Sequence, residues 1–429
     1  MAGAREMDRE KRIALNAVRL PESKFTMKLN RFLFAALLAF SMAAHAESLA
    51  SMFTNVPPST RTAIPRRSSI IFIECHGLGL GDLSCYGQTH FQTPNLDRLA
   101  TEGTRFTNYR AAGDALPLAQ AALMTGKNAA PAPGESTLAQ RLQQAGYHTG
   151  LLGEWTLGAT PWTQGFDEFA GFLDEREGQN YFADSLWRYA PKSIYDETNK
   201  AFTAFSGKEQ IYENTGGQHG RYLPDVFMSA AANFARVNQP DFANHYQPFF
   251  LLVNLPAPRT ATTGKDDFPV PTDAPFTGEN WPQAAKNRAA LIMRLDDGIG
   301  RLVEQLNKVG MTNNVAIFFT SATGLEKFAD TNLIKFLKLD GEARGENSEA
   351  RRRVPMIVHW PGHVPAGRVS SQPWSAPDFA PTALEIAYAK PAPGNTGISM
   401  LPALLGEPGT NTPARPDHRE LPARQFPQF

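Results

Sequence analysis

The chain has 429 residues, 42% hydrophobic and 20% charged, which is enough apolar material for the core of one large α/β domain or two smaller ones. Lys plus Arg equals Asp plus Glu at 42 each, so no net field draws it to nucleic acid or to an acidic surface. Two cysteines, Cys75 and Cys85, exclude a disulfide scaffold; they read as a pair of buried thiols, or as one bridge if the glycine-rich turn between them folds back.

Residues 1–26 are polar and charged without an apolar period, and read as a leader that folding does not need, with translation starting at Met1 or Met27. Met27, Lys28 and Arg31 precede the apolar run Phe32 to Ala44, and Ala44-His45-Ala46 makes an A-x-A cleavage site. Residues 27–46 therefore read as a signal peptide, and the protein as periplasmic or secreted. The run is shorter than the ~20 apolar residues of a spanning helix, so no stable membrane span is expected after cleavage. Residues 47–67 are a proline-bearing linker, 68–406 the folded domain and 407–429 an irregular tail.

Ile70 to Ile73 is a continuous apolar run followed by glycines, which predicts a strand buried on both faces and ending in a tight loop. Thr93-Pro94-Asn95 leads into Leu96, Leu99 and Ala100, a helix that the threonine can cap with proline in its first turn. Thr137 to Ala145 repeats the arrangement, with Leu138 and Leu142 at i, i+4 and Gly146 as a stop, before a strand at Thr149 to Leu152. Phe249 to Leu255 and Val315 to Thr320 are strands dense in β-branched and aromatic residues. Between them a helix from about Asn287 to Val309 sets Ile292, Leu295, Ile299, Leu302 and Leu306 on one face. Pro355 to Trp360 predicts a further strand and Pro377 to Tyr388 a helix. Strands alternating with helices give an α/β three-layer sandwich with a largely parallel central sheet.

Several blocks in order, among them GLGDLSCYG, TPNLDRLATEGTRFTNYRA, ALMTGK, STLAQRLQQAGYHTGLLGEWTLG and RRVPMIVHWPGHVPAG, give the chain a family likeness. From about Ile70 to Gly406 it resembles the sulfatases of the alkaline phosphatase superfamily, exported hydrolases of sulfate esters. The resemblance implies a divalent cation, Ca²⁺, held by carboxylates, a nucleophile made by oxidising Cys or Ser to formylglycine, and cationic groups around the sulfate. It also implies a small C-terminal sheet subdomain, which the stretch after Gly406 is too short and proline-rich to build.

At the matching positions the residue types differ. The aspartate pair falls at His76 and Gly77, and the later Asp-Asn pair at Ala322 and Thr323. The nucleophile falls at Leu116 and the arginine of its motif at Gln120; a leucine offers no oxidisable atom. The family's G-K-W-H-L-G reads G-E-W-T-L-G, placing Glu154 for lysine and Thr156 for histidine, while Arg259 stands for a histidine and Arg344 near a lysine. A sulfate beside Glu154 would meet repulsion. A hard cation takes about six to eight oxygens, several of them carboxylate, so no metal and no formylglycine are expected.

The expected protein is a non-catalytic sulfatase relative with a binding or accessory role; the alternative is a sulfuric ester hydrolase, or a related hydrolase, with a remodelled site. Glu74, Cys75 and His76, with Glu154, bring a thiol, an imidazole and carboxylates to one strand end, but adjacent strand residues point to opposite faces, which argues against a zinc site. Asp82 reads as a turn residue and Asp297 as a solvent-facing helix charge. Arg351, Arg352 and Arg353 with Arg344 read as a solvated run, or as a patch for a sulfated or other anionic glycan.

Overall fold

Ser69–His76 (β1), the run SIIFIECH, is buried at every residue, as a strand covered on both faces must be. A computed structural model describes residues 67–113, 115–178, 181–190, 207–212, 214–239, 247–261, 268–325, 331–336, 352–390 and 394–406. The leader, the signal peptide, the tail, Arg344, Arg351 and all of the linker but Arg67 lie outside them.

After β1 come α1 (Pro94–Glu102), β2 (Thr104–Arg110), α2 (Leu116–Thr125), α3 (Leu138–Gln144), β3 (His148–Glu154), β4 (Glu168–Phe172), β5 (Ser185–Ala190) and β6 (Gly207–Tyr212). Then follow α4 (Leu223–Val237), β7 (Phe249–Pro258), α5 (Gln283–Lys308), β8 (Val315–Thr323), β9 (Arg353–His359), β10 (Arg368–Ser370), β11 (Trp374–Ser375), α6 (Phe379–Ile386) and α7 (Leu401–Leu405). The strands make one sheet in the order β10-β2-β9-β8-β1-β7-β3-β4-β5-β6, with β11 beside β2. From β8 to β4 the strands run parallel, Ile70 pairing with Phe250 and Ala316. The flanks turn antiparallel, β9 against β8 and β2, β5 against β4, and β6 against β5.

Alternation along β1 sends Ile71, Ile73 and Cys75 to one face, where Phe234 of α4 and Leu295 and Ile299 of α5 cover them. Ile70 and Phe72 face the other way, onto Leu142 of α3 and Phe379 of α6. Helix, sheet and helix form the three layers that the sequence implies.

The flanking strands β2, β4, β5, β6, β10 and β11 had no clear sequence signal, because segments such as TRFTNYR and GKEQIY mix polar and apolar residues at an exposed margin. Helix α5 begins four residues before Asn287, at Gln283. Thr137 and Gln140 form the reciprocal cap expected of α3, at 3.2 and 2.9 Å. Thr93, in contrast, does not cap α1 with its side chain. Its hydroxyl is engaged with Ser84, and Asp296 of α5 takes the amides of Asn95 and Leu96 at 3.0 and 2.7 Å. A carboxylate from a distant helix outcompetes the local hydroxyl because it accepts two N–H groups at once and carries the charge that the helix dipole favours.

Candidate active site

The carboxyl ends of β1, β3, β7 and β8 meet where an open α/β sheet presents its ligands, and they carry most of the positions singled out above. Arg259 follows β7 and sends Nη2 to within 2.5 Å of Glu154 Oε1, with the two side chains 3% and 0% exposed. Its Nη1 donates to His76 Nδ1 at 3.0 Å. That bond makes Nδ1 an acceptor and leaves the ring proton on Nε2, so the 3.8 Å approach of the same Nδ1 to Glu154 Oε2 is proximity and not a hydrogen bond. Gly77, at φ +83°, lies under Arg259; a Cβ there would stand 3.0 Å from the Arg259 Cα.

Gln120, fully buried on α2, donates through Nε2 to the Glu154 carbonyl at 2.8 Å. Its Oε1 accepts from both the amide and the hydroxyl of Thr156, each at 2.8 Å. Asn254 of β7 adds a third tie, to the Glu154 carbonyl at 3.1 Å. Thr323 Oγ1 accepts from the Gly77 amide at 3.1 Å, so the loop after β1 is stitched to the end of β8. Leu116, Ala119 and Ala322 pack into a small buried apolar cluster of their own.

The structure therefore brings together His76, Gly77, Glu154, Thr156, Gln120, Arg259 and Thr323 through hydrogen bonds, and Leu116 with Ala322 through packing. Sequence reasoning missed Arg288 of α5. It is fully buried, grips both oxygens of Asp82 at 3.0 and 2.7 Å, and donates to the carbonyls of Gly77 and Pro258. Asp82 does sit in a turn, accepting from the Gly79 amide, but it is the anchor of a buried ion pair that holds the loop beneath His76. An arginine inside the otherwise apolar stripe of α5 was the available signal. Asp297 is exposed, as expected, and its neighbour Asp296 is the working residue.

Glu74 and Cys75 do not join the cluster. Cys75 lies in the apolar layer under α5, where burial pushes its thiol up, away from the thiolate a metal would need. Both cysteines are free thiols, Cys75 buried and Cys85 half-buried. Glu74 faces the opposite layer with no hydrogen-bond partner for either oxygen, and burial pushes its carboxyl up to about 8, so at neutral pH it is mostly protonated. Among the described residues, no three His, Cys, Asp or Glu side chains converge as metal ligands. Arg352 donates to the carbonyls of Ala111 and Ala112, and Arg353 to that of Thr107, so these two guanidinium groups fasten chain segments.

The sulfatase family profile, described simply as Sulfatase, matches residues 69–389. N-acetylgalactosamine-6-sulfatase of Sus scrofa is 28% identical over 387 residues, covering 80% of this chain and 67% of its own length. An N-acetylglucosamine-6-O-sulfatase of Bacteroides thetaiotaomicron is 26% identical over 415 residues, covering 80% and 72%. This chain thus spans about two thirds of the length of such curated relatives. Among solved structures, Ps i-CgsB in complex with k-i-k-neocarrahexaose is 29% identical with a TM-score of 0.59, covering 79% of this chain and 76% of that one. A structure in complex with D-glucosamine-2-N,6-O-disulfate, 23% identical and with a TM-score of 0.58 over 80% of this chain and 81% of that one, shares the fold.

Proposed function

This chain belongs to the sulfatase family, and on that premise we propose that it is an exported member that does not hydrolyse sulfate esters and instead acts as a binding or accessory module for a sulfated or other anionic glycan. The observation that carries the proposal is the packing of Leu116 against Ala119 and Ala322. Two positions where the family resemblance calls for a nucleophile and a metal carboxylate are joined in a buried apolar contact.

The donor set does not fit a hard divalent cation either. His76 offers a nitrogen that already accepts from Arg259, Thr323 a hydroxyl that already accepts from Gly77, and neither Gly77 nor Ala322 offers a side-chain oxygen. Calcium selects about six to eight oxygens with several carboxylates among them. The charges around the cluster support the same reading. Arg259 is neutralised by Glu154 within a buried pair, so no unpaired guanidinium of this cluster is left to draw a sulfate inward. Localisation enters the proposal through the run Phe32 to Ala44 and its A-x-A site.

The relatives' names keep a second reading in view, a hydrolase with a remodelled site built on His76 and Arg259. Purified protein assayed with an aryl sulfate, N-acetylgalactosamine 6-sulfate and an aryl phosphate, with and without Ca²⁺, separates the two. No turnover is expected. Turnover that disappears in His76→Ala would replace the proposal with the second reading.

A further inference from the structure

The far margin of the sheet carries a half-open aromatic face. Residues that pair across β5 and β6 point to the same side, so Tyr189 lies beside Lys208, Trp187 beside Gln210 and Ser185 beside Tyr212. We propose that this face is a docking strip for an anionic polysaccharide, whose sugar rings lie against Tyr212, Trp187 and Trp162 while Lys208 holds a charged substituent. The proposal rests on the glycan-binding reading above but not on the absence of hydrolysis.

The rings are placed by the strands around them. Pairing of β4 with β5 sets Phe169 beside Tyr189 and leaves Gly171, which has no side chain, beside Trp187. From the turn Pro161–Gln164, Trp162 stacks on Tyr189 with ring centroids 4.7 Å apart and planes 18° from parallel. Trp162, Trp187 and Tyr189 pack on the core by one side and are half-buried, so part of each ring meets solvent, and Tyr212 is 65% exposed. Aromatic groups that are anchored on one side and wet on the other favour ligands that are themselves part apolar and part polar. A sugar ring, with its C–H face and its hydroxyl rim, is such a ligand. No strand lies beyond β6 among the described residues, and Lys208 to Tyr212 spans about 14 Å along it. A strip of that length suits several units of an extended chain better than one small molecule.

The charge of the strip selects the substituent. Lys208 is exposed, and its ammonium lies 4.0 Å from the ring centroid of Trp187 and 5.6 Å from that of Trp162. Those contacts orient the cation without neutralising it, and among the described residues no carboxylate pairs with it. Glu209, the one carboxylate of β5 and β6, points to the opposite side, where it pairs with Arg188. The neutral polar groups of the strip satisfy one another: Tyr212 Oη donates to Gln210 Oε1 at 3.1 Å, and Gln210 Nε2 donates to Ser185 Oγ at 2.8 Å. What the strip lacks is an anion, and a sulfate or carboxylate on a sugar supplies it. A two-fold contact between copies of this chain would bring a second ammonium to the same strip and no carboxylate.

Calorimetric titration of the whole protein with a sulfated carrageenan hexasaccharide, a hyaluronan hexasaccharide, a neutral agarose hexasaccharide and polyglutamate tests this. Saturable binding is expected for the sulfated sugar, the uronic sugar or both, and not for the last two probes at the same concentrations. Which of the two anionic hexasaccharides binds tells a sulfate ligand from a carboxylate one. Tyr212→Ala and Lys208→Gln should each raise Kd about tenfold, or about 1.4 kcal/mol. The deficit of the Lys208 variant should shrink as salt is added. Both positions are exposed, so the variants fold, and thermal melts confirm it. Binding of an anionic hexasaccharide that either variant leaves unchanged would overturn the strip while keeping the protein as a glycan binder. No binding of either anionic hexasaccharide would overturn the strip and the glycan reading together. Equal binding of the agarose hexasaccharide would refute the part given to Lys208, and equal binding of polyglutamate the part given to the rings.

Discussion

Arg259 and Glu154 neutralise each other inside the protein, Nη2 to Oε1 at 2.5 Å, from the ends of strands that neighbour one another in the sheet. At these two positions the family resemblance calls for a histidine and a lysine. Here those positions carry a guanidinium and a carboxylate, which cancel each other's charge. The pair is fastened on both sides, Arg259 by His76 and the Glu154 backbone by Gln120 and Asn254.

Breaking this pair on one side strands a charge that water cannot reach. Glu154→Gln is expected to lower stability by about 3–5 kcal/mol, read by chemical denaturation. The joint replacement Glu154→Leu with Arg259→Met should recover most of that loss, because it removes both charges together. A single variant as stable as the parent would show that the pair opens to solvent.

Leu116 is expected to behave as core. Leu116→Ala should cost about 2–5 kcal/mol through the cavity it leaves beside Ala119 and Ala322. On the proposed reading, Leu116→Cys places a thiol at the position matching the family nucleophile without the carboxylates or the arginine that the resemblance calls for. No hydrolysis of an aryl sulfate should follow; measurable turnover would refute the account of the site.

Adjacent aspartates on α5 should separate cleanly. Asp296→Ala uncaps α1, leaving the amides of Asn95 and Leu96 without an acceptor, at a cost of about 1–2 kcal/mol or more. Asp297→Ala, at an exposed position, should stay within about 0.5 kcal/mol of the parent. Equal effects in urea melts would contradict the long-range cap.

Glu74 gives stability a pH dependence with a definite sign. Burial raises its carboxyl from 4.5 to about 8 in the native protein, so the folded chain keeps this proton longer than the unfolded one. At pH below 4.5 both states are protonated; from there to about 8 the unfolded state ionises first and stability falls, and above that the loss is complete. Glu74→Gln removes the term. Its stability relative to the parent should therefore rise between about pH 5 and pH 8, by on the order of a few kcal/mol. Parallel stability curves for the two proteins would mean that Glu74 is already ionised when folded.

The parallel centre of the sheet was legible in the sequence because strands covered on both faces must be apolar throughout, as in SIIFIECH and FFLLVNL. The margins were not, because β5 and β6 face solvent in part and their polarity follows no single rule. The positions matched by the resemblance could be named from the sequence, Arg344 lying outside the described residues, but neither their partners nor Arg288 and Asn254 could. Glu154 and Arg259 are 105 residues apart, and Arg288 and Asp82 are 206. Periodicity reports on neighbours within a few turns and cannot join such pairs. One charge reversal, Glu154 for lysine, stood beside a position that keeps a positive charge, Arg259, and only the structure joins the two.

The place of β1 in the sheet also bears on how the protein is made. Its hydrogen-bonding neighbours are β7 and β8, so contacts such as that of the Ser69 hydroxyl with the Phe249 amide, 180 residues on, and of the Gly77 amide with Thr323, 246 residues on, wait for late parts of the chain. β1, the first of the described strands in the chain, is paired on both sides only once β7 and β8 have been made. Pairing of β1 therefore waits on long loop closures, which are slow, and until β7 and β8 exist its apolar ribbon is the kind of segment that a chaperone shields.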